Sequence, residues 1–325
     1  MIPDDQVNAV LKLLLTLFPP GRVIEIRILS DDGISSGFYD NYQKAAADLQ
    51  MRGVDPKVTG IYVTLNEVNP VLPARGANRI KTRLSKKDAT TADADILRRH
   101  WFPVDVDPVR PSGVSSTDEE HQAALDSAVR IADYLGGMGW PAPVFADSGN
   151  GAHLLYRIDL PNDDRNRDLV KRCLEVLSAL FDDDQTTVDT ANHNAARIWK
   201  LYGTMSRKGD NTSDRPHRRS RILSVPVEVE VVAEDFLDRC LQAFEVTAAF
   251  QYALFDWVGT LGVEWLSSPL QRASDREDSL AFMLGATGFG VLSMDFSDEI
   301  VEVTVTGERR PWGPIIAALS SLLPE

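Results

Sequence analysis

The sequence is poor in cysteine, with Cys173 and Cys240 the only two among 325 residues. Two cysteines so far apart along the chain fit neither a disulfide-stapled scaffold nor a cysteine-based zinc site. Cys173 falls on the apolar face of a helical pattern, where a small buried side chain is the expected role. These features predict a cytoplasmic protein that needs no zinc.

Long apolar runs are also missing. No stretch of about 18 apolar residues occurs, so a membrane-spanning helix is not expected. The first residues carry no basic region, and Lys12 and Thr16 interrupt the apolar run at residues 11–18. A signal peptide is therefore not predicted, and neither is a membrane partner.

Positive charge is scarce overall, since 34 basic residues face 48 acidic ones and the net charge is −14. Such a balance argues against general nucleic-acid binding, because phosphate contacts require lysine and arginine. The basic residues are nevertheless clustered. Residues 75–99 contain eight of them against three acidic ones, and residues 197–221 contain eight against two. Each cluster is either a nucleic-acid contact surface or an ordinary solvated face.

The periodicity predicts a mixed α/β (α+β) fold. Residues 101–108, 143–147, 153–158 and 187–189 have strand patterns, and a capping box at Thr117 and Glu120 begins a helix. A second helix is predicted at 164–181. The resulting order of strand, helix, strand, strand, helix, strand is that of a ferredoxin-like palm. Earlier in the chain, helices are predicted at 5–17 and 41–52, strands at 23–29 and 60–65, and a long mobile excursion at 66–93.

Two regions are predicted from this pattern. Residues 1–232 form the main domain, with an N-terminal α/β unit at about 1–95 and a palm at about 96–232. Residues 233–325 form a small, mostly helical accessory region. Within it we expect helices at 233–246, 247–266 and 314–323, a polar linker at 267–278 and a strand at 300–305.

Asp105 and Asp107 form the first motif that suggests chemistry. On a strand, residues i and i+2 point to the same face, so the two carboxylates project side by side. Like charges this close repel each other, and a divalent cation relieves the repulsion. Oxygen ligands favour Mg²⁺ or Mn²⁺ over softer metals. An incidental acidic loop is the alternative, although the apolar neighbours Phe102, Val104 and Val106 favour a buried strand.

A glycine-rich turn between two predicted strands is the second motif. Glycines allow a turn whose amides face outward, as in phosphate-binding loops. A histidine at the start of the next strand would meet the same phosphates. The alternative is an ordinary hairpin with an incidental histidine. The residues concerned are Ser148, Gly149, Asn150, Gly151 and His153.

The third motif is Asp189, which follows a short strand and would complete a two-metal site as a third carboxylate. A turn or helix-cap aspartate is the alternative. A fourth segment combines basic and aromatic residues, which suits a triphosphate but also suits a basic surface hairpin. Its residues are Arg197, Trp199, Lys200, Tyr202, Arg207 and Lys208.

Taken in order, these motifs resemble those of the archaeo-eukaryotic primase superfamily, in particular the bacterial, phage and plasmid primase-polymerases. The resemblance covers about residues 60–225. It implies that Asp105, Asp107 and Asp189 bind two divalent ions, Mg²⁺ or Mn²⁺. It further implies that Ser148, His153 and the backbone between them contact the phosphates of the incoming nucleotide. Arg197 and Lys208 would add phosphate or sugar contacts, and Tyr202 a ribose or base contact.

The sequence departs from this family in one respect, because it has no cysteine or histidine cluster for the zinc module that many of its primases carry. De novo priming is therefore in doubt, whereas templated extension is not. The sequence also has no phosphate-binding loop of the helicase type, so a separate helicase is a candidate partner.

The expected function is a template-dependent DNA primase or polymerase, a nucleotidyltransferase that uses NTPs or dNTPs on a single-stranded DNA template with a primer. Trp199 is expected to stack on a base. The alternatives are a catalytically silent replication-initiator module on the same fold, and a non-templated nucleotidyl transferase or cyclase. The residues expected to contact nucleic acid are Arg75, Arg79, Lys81, Arg83, Trp199 and Arg207.

Overall fold

The computed structural model describes residues 4–52, 55–234 and 236–237, and three strands in the last fifty residues. The chain divides into two compact units, Met1–Leu241 and Gln242–Glu325. The described part is a mixed α+β structure with four α-helices and antiparallel sheets, which confirms the expected fold class. None of the helices in that part is long and apolar enough to cross a membrane.

The first unit contains four helices and twelve strands in its described residues. The helices are α1 (Asp4–Leu17), α2 (Tyr42–Arg52), α3 (Asp118–Gly137) and α4 (Asp164–Phe181). The strands are β1 (Ile24–Ser30), β2 (Gly33–Tyr39), β3 (Val58–Thr64), β4 (Glu67–Val68), β5 (Ile96–Pro108), β6 (Val144–Asp147), β7 (Ala152–Pro161), β8 (Thr186–Val188), β9 (Ile198–Lys200), β10 (Met205–Ser206), β11 (Arg218–Arg219) and β12 (Arg221–Ser224).

Two sheets organise this unit. The first has the order β2-β1-β3-β9. The second has the order β12-β6-β7-β5-β4, with β8 also paired to β5. The predicted succession of strand, helix, strand, strand, helix, strand is confirmed as β5, α3, β6, β7, α4, β8. The capping box of α3 is confirmed too, because Thr117 Oγ1 accepts a hydrogen bond from the Glu120 amide at 3.1 Å.

Strand β2 was not predicted. Its sequence, Gly-Ile-Ser-Ser-Gly-Phe-Tyr, lacks a regular alternation of apolar and polar residues, and it becomes a strand because β1 pairs with it along its whole length. Strand β5 was predicted to begin at residue 101 but begins at Ile96. Its added residues pair with β4 and with the end of β7, which are partners distant in sequence.

The alternation of side chains along β5 places the two aspartates. The Phe102 ring lies 5.5 Å from that of Trp140, on the face that also carries Tyr156. The adjacent Trp101 instead joins the core that the second sheet shares with the first. Because successive side chains point to opposite faces, Asp105 and Asp107 share the face of Trp101. They therefore point towards the first sheet and away from the aromatic cluster around Phe102.

One large core lies between the two sheets and includes residues of α1 and α2. Burial of each large aliphatic side chain there stabilises the fold by about 2 kcal/mol. Among its fully buried members are Leu14, Ile24, Ile26, Tyr39, Ala45, Val63, Val144, Ala146, Leu155 and Tyr202.

The excursion at residues 66–93, predicted to be mobile, is tied to the first sheet. Residues 36 and 81 exchange backbone hydrogen bonds of 3.0 and 2.8 Å, and the Phe38 amide donates to Gly76. At its far end the Thr91 amide donates to buried Glu25 at 2.9 Å. Isolated backbone hydrogen bonds of this kind leave no periodic pattern in the sequence. The sequence therefore did not predict that residues 66–93 are held against the first sheet.

In the second unit the structure describes β13 (Ser279–Phe282), β14 (Leu292–Asp295) and β15 (Glu302–Val305), which form one antiparallel sheet. Strand β15 confirms the strand predicted at 300–305, whereas β13 and β14 were not predicted. The helices predicted at 247–266 and 314–323, most of that at 233–246, and the linker at 267–278 lie outside the described residues.

Glu25 is expected to be a stability determinant. Burial raises its pKa, but the ion pair with Arg27 and the hydrogen bonds from Ser36 and Thr91 outweigh this, so the pKa lies below the ordinary 4.5. Its contribution is therefore present above about pH 4.5 and is lost as the pH falls below it. We expect Glu25→Gln to lower the free energy of unfolding by roughly 3 kcal/mol at pH 7 and by much less at pH 3. Urea denaturation at both pH values measures this, and an equal loss at both would contradict it.

Candidate active site

A cavity of about 330 Å³ lies between the two sheets. This is at the small end of the size range of ligand pockets, roughly 300–1,000 Å³. Strands β1, β3 and β9 supply one wall, and β5 and β7 supply the other. The lining residues are Leu29, Tyr62, Asp105, Asp107, Ser148, Asn150, His153, Asn192, Arg197, Ile198, Trp199, Lys200, Ser206 and Lys208.

Two carboxylates line this cavity, and a third, that of Asp189, lies next to them without lining it. Asp105 and Asp107 line it from β5. The Asp189 amide donates to the Asp105 carbonyl at 2.9 Å, so β8 brings the third carboxylate beside the pair. Burial raises the pKa of Asp105. The charges of Asp107 and Asp189 raise it further, and His153 opposes the rise. The carboxylates therefore repel one another as expected for a cation site.

Two arginines partly neutralise these carboxylates. Arg110 donates to Asp107 Oδ1 at 3.1 Å, and Arg197 donates to Asp189 Oδ2 at 2.8 Å. Asp189 also caps a short 3-10 turn, because its Oδ1 accepts from the Ala191 amide at 2.9 Å. The turn role considered as an alternative for Asp189 is thus present together with its position beside Asp105.

The donor set fits a hard divalent cation, because it consists of carboxylate oxygens whose mutual repulsion a cation would offset. The side chains are not gathered for binding as they stand. Within the described ranges, no group of three or more His, Cys, Asp or Glu side chains is close enough to hold a metal ion. Binding would therefore require Asp107 and Asp189 to loosen their contacts with Arg110 and Arg197.

The loop at residues 148–151 differs from the prediction, because its amides do not face outward. The Gly149 amide donates to Asp147 Oδ1 at 2.7 Å. Those of Asn150 and Gly151 donate to Ser148 Oγ at 3.3 and 2.9 Å. Serine thus satisfies the turn internally, a competition that its short hydroxyl side chain favours. The cavity receives the side chains of Ser148 and Asn150, whereas Gly149 and Gly151 do not line it.

The glycines of this loop are instead required by packing. Gly149 has φ of +92°, a conformation that favours glycine. A Cβ on Gly151 would lie 2.3 Å from the Val106 carbonyl oxygen, so the loop approaches β5 more closely than any other residue would permit. This close approach holds Ser148 and Asn150 next to the carboxylates of β5.

A buried contact between a histidine and an aspartate anchors the same loop. His121 Nε2 lies 2.9 Å from Asp147 Oδ1, the oxygen that also accepts from Gly149. Burial raises the pKa of Asp147, but the hydrogen bonds from His121 and Gly149 outweigh this and leave it below its ordinary value. The Ser206 hydroxyl completes the anchoring by donating to the Ser148 carbonyl at 2.7 Å.

Lys200 and Tyr62 form the wall opposite the carboxylates. They are paired across β9 and β3, and the ammonium lies 5.4 Å from the centre of the tyrosine ring. Burial, with the charges of Arg207 and Lys208, lowers the pKa of Lys200 to about 7. Burial raises the pKa of Tyr62, and the charges of Asp105 and Asp107 add to the rise. The phenol is therefore close enough to the carboxylates to interact with them.

Trp199 and Tyr202, predicted to contact a base and a ribose, are buried. Trp199 is 2% exposed and Tyr202 is fully buried. Trp199 lines the cavity, whereas Tyr202 does not. The Trp199 ring packs against His153 with 4.0 Å between ring centres, and the Tyr202 ring lies 5.8 Å away, so both rings support His153.

Most of the basic residues predicted to follow a template already have partners. Arg75 lies 3.4 Å from Asp95, Arg83 lies 3.4 Å from Asp32, and Lys81 pairs with Asp88. Arg207 donates to the Val58 carbonyl at 2.7 Å. Arg79 lies in the segment that runs along β2. None of the five lines the cavity. A nucleic acid that binds there must compete with these contacts.

Two arginines of the second basic cluster pair with acidic residues at the N-terminus of α3. Arg215 donates to both carboxylate oxygens of Glu120 at 2.7 and 2.8 Å, and Arg218 donates to Asp118 at 2.6 Å. Lys200 and Lys208 are the members of this cluster that reach the cavity along with Arg197.

Sequence reasoning missed Tyr62, Asn192 and Ser206 as cavity residues. Tyr62 carried a usable signal, because it is the aromatic residue on the polar face of β3, between the buried Ile61 and Val63. Asn192 and Ser206 lie in a turn and a two-residue strand whose positions depend on long-range pairing. No local pattern identifies them.

Comparison with known proteins gives no relative for this chain: no protein-family model, curated protein or solved structure matches it.

Gly60 is expected to be essential for the position of Tyr62. A Cβ on Gly60 would lie 2.6 Å from Cε2 and 2.8 Å from the hydroxyl of Tyr62, so Gly60→Ala must displace the ring. We expect little change in the free energy of unfolding, because the atoms that the Cβ meets are the movable end of the Tyr62 side chain. The displaced ring should change the shape of the cavity, which titration calorimetry with ATP as a probe measures. The control is Gly136→Ala in α3, where a Cβ meets open space. Unchanged binding in Gly60→Ala would show that Tyr62 does not shape the cavity.

Proposed function

We propose that this chain is a metal-dependent nucleotidyl transferase of the primase-polymerase kind, which extends a primer on a single-stranded DNA template. One observation carries the proposal. The carboxylates of β5, the side chains of the 148–153 loop and a wall of lysines, all expected from the sequence, line a single cavity. The strand order β6-β7-β5-β8 is also that of the split-βαβ palm expected for such enzymes.

One wall of the cavity suits the triphosphate of the incoming nucleotide, and the other suits the attacking hydroxyl of the primer. Triphosphates require positive charge, and Lys208 and Arg197 supply it, with Lys200 adding to it below about pH 7. His153 lines the cavity beside Asp105, where a hydrogen bond to a phosphate oxygen would orient the α-phosphate. Ser148 lines it too, and its hydroxyl would have to exchange its hydrogen bond to the Gly151 carbonyl for one to a phosphate oxygen. The primer hydroxyl would approach from the side of Asp105 and Asp107, which would receive its proton directly or through water.

Asp105, Asp107 and Asp189 are the residues that would hold divalent cations. When bound, Mg²⁺ or Mn²⁺ supplies the charge that lowers the pKa of the attacking hydroxyl and stabilises the leaving pyrophosphate. Arg110 and Arg197 neutralise two of these carboxylates in the free protein. Release of Arg197 from Asp189 would make its guanidinium available to the triphosphate.

The alternatives differ from this proposal in measurable ways. A non-templated transferase or cyclase would consume nucleotides without regard to template sequence. A silent initiator module would bind DNA without consuming nucleotides. An extension assay with and without primer, on templates of different sequence and with NTPs or dNTPs, separates the three.

Asp105→Asn and Asp107→Asn are expected to reduce nucleotide incorporation on the order of 10³-fold, because each removes a charge that the transition state requires. Asp105→Asn should also raise the melting temperature without metal, since it removes a buried charge that its neighbours repel. Primer extension and thermal denaturation measure the two effects.

The matched control for these variants is Asp168→Asn, which changes an exposed aspartate on α4 that pairs with Arg167. It should leave incorporation unchanged. Full activity in either β5 variant would rule out the proposed site.

Lys200 should make triphosphate binding depend on pH. Its pKa of about 7 means that it is charged below pH 7 and neutral above, so affinity for an anion should fall as the pH rises through 7. In Lys200→Met this pH dependence should disappear. Titration calorimetry from pH 6 to pH 9 measures it. Lys208→Met is the control, which should weaken binding but retain the pH dependence. The same slope in both variants would contradict the role of Lys200.

A further inference from the structure

His153 is enclosed by two aromatic side chains that the proposed reaction does not use. The ring of Trp199 is tilted by 39° with its centre 4.0 Å from that of His153, and the ring of Tyr202 lies 5.8 Å away. All three residues are buried. One nitrogen of His153, Nε2, lies 3.3 Å from Asp105 Oδ1 on the cavity side. The other, Nδ1, lies 3.0 Å from the Tyr202 hydroxyl on the core side.

Local structure fixes this arrangement. Trp199 lies in β9, and the chain turns directly after it through Gly203, which has φ of +83°. The turn brings Tyr202, three residues after Trp199, back beneath the indole. Trp199 Nε1 then donates to the Tyr202 hydroxyl oxygen at 2.8 Å. Three side chains from β7, β9 and the turn thus form one chain of hydrogen bonds.

The direction of these hydrogen bonds follows from the chemistry of the donors. An indole nitrogen only donates, so the tyrosine oxygen is the acceptor from Trp199. Burial raises the pKa of Tyr202 far above its usual range, with the Trp199 hydrogen bond opposing and Asp105 adding to the rise, so the phenol keeps its proton. A buried phenol O–H that donates no hydrogen bond destabilises the folded protein by about 1–3 kcal/mol. Among the described residues His153 Nδ1 is the acceptor within reach.

We infer that Trp199 and Tyr202 are positioning residues that hold His153 as the tautomer protonated on Nε2, so that it presents an N–H donor to the cavity. The donor role towards a phosphate oxygen of a nucleoside triphosphate rests on the proposed function. The tautomer itself does not, because it follows from the hydrogen bonds of the free protein. An imidazole held in this way presents one directed N–H donor to the cavity that Lys200 and Lys208 also line.

The tautomer is directly measurable by NMR in protein labelled with ¹⁵N-histidine. The sequence contains five histidines, and comparison with His153→Gln assigns the signal. In a series up to pH 9 we expect the neutral ring of His153 to carry its proton on Nε2, with Nδ1 at the frequency of a hydrogen-bonded acceptor. In Tyr202→Phe the Nδ1 signal should move to that of a nitrogen without a hydrogen bond. A proton on Nδ1 of the wild-type protein, alone or together with Nε2 throughout the series, would overturn the inference.

Asp105 also favours a proton on Nε2. Its contribution must therefore be separated from that of the relay, by which we mean the hydrogen-bonded chain of Trp199, Tyr202 and His153. In Asp105→Ala the relay alone should keep the proton on Nε2. In Asp105→Ala/Tyr202→Phe the two tautomers should both be populated. If Asp105→Ala by itself gives the mixture, Asp105 and not the relay sets the tautomer, and the inference fails.

Two matched controls distinguish the relay from core packing. The Tyr156 hydroxyl and the Trp140 Nε1 are buried without a hydrogen-bond partner in the described part of the chain. Tyr156→Phe and Trp140→Phe therefore remove the same groups from the core without touching the relay. Neither should move the ¹⁵N signals of His153, whereas Trp199→Phe should. If the ¹⁵N signals of His153 shift as much in either control as in Tyr202→Phe, the shift results from changed core packing and not from loss of the relay.

Triphosphate binding supplies the functional measurement. We expect Tyr202→Phe to weaken ATP or dATP binding about tenfold, the equivalent of one hydrogen bond, and Tyr156→Phe to leave it unchanged. Equal affinities in wild-type and Tyr202→Phe protein would contradict the positioning role. If the wild-type protein binds no triphosphate while its NMR signals behave as expected, the relay stands and the proposed function fails.

Discussion

The repulsion between two aspartates on one face of β5 is the constraint on which the site depends. Alternation along the strand forces Asp105 and Asp107 to the side that faces the first sheet. At the same time it sends Phe102, and by the same register Val104 and Val106, to the opposite side. The strand cannot turn its charges to solvent without exposing those apolar residues. The charges therefore stay inside, and neighbouring elements must compensate for them.

The compensation comes from separate parts of the chain. Arg110 follows β5 directly, His153 pairs opposite Asp105 on β7, and Arg197 precedes β9. Each makes a single contact with one carboxylate, so none removes the repulsion completely. The protein thus keeps a partly balanced acidic centre next to a wall that contains Lys200. A molecule with both a cation and phosphates would complement the two walls together.

The sequence predicted those features that depend on local periodicity. Helices α1 to α4 and strands β5 to β8 have clear apolar patterns. Because these strands were predicted, the positions of Asp105, Asp107 and His153 on them were predicted as well. Strand β2 was missed because it lacks apolar alternation, although it pairs with the neighbouring β1. Tyr62 was missed because its role depends on long-range pairing, which brings β9 beside β3. The error at the 148–151 loop has a local cause. Two glycines suggested outward amides, but the Ser148 hydroxyl satisfies the turn internally.

Composition alone does not show which basic residues are already paired with carboxylates. Counting lysines and arginines in residues 75–99 identifies a basic cluster but not the partners of its members. Arg75, Lys81 and Arg83 pair with Asp95, Asp88 and Asp32, of which Asp32 lies outside the cluster and close only in space. A charge count along the chain therefore gives the number of basic residues but not how many of them lack a carboxylate partner.

The pairing of β9 with β3 also determines when the site can form during folding. Residues 58–64 and 198–200 are far apart in the sequence, and contacts between distant residues form slowly because a long loop must close first. The hairpin of β6 and β7 closes through a short turn. Strand β5, which carries Asp105 and Asp107, pairs with β7 across a shorter stretch of chain than the one that separates β3 from β9. By loop closure alone, the acidic half of the cavity is therefore expected to form before the half with Lys200.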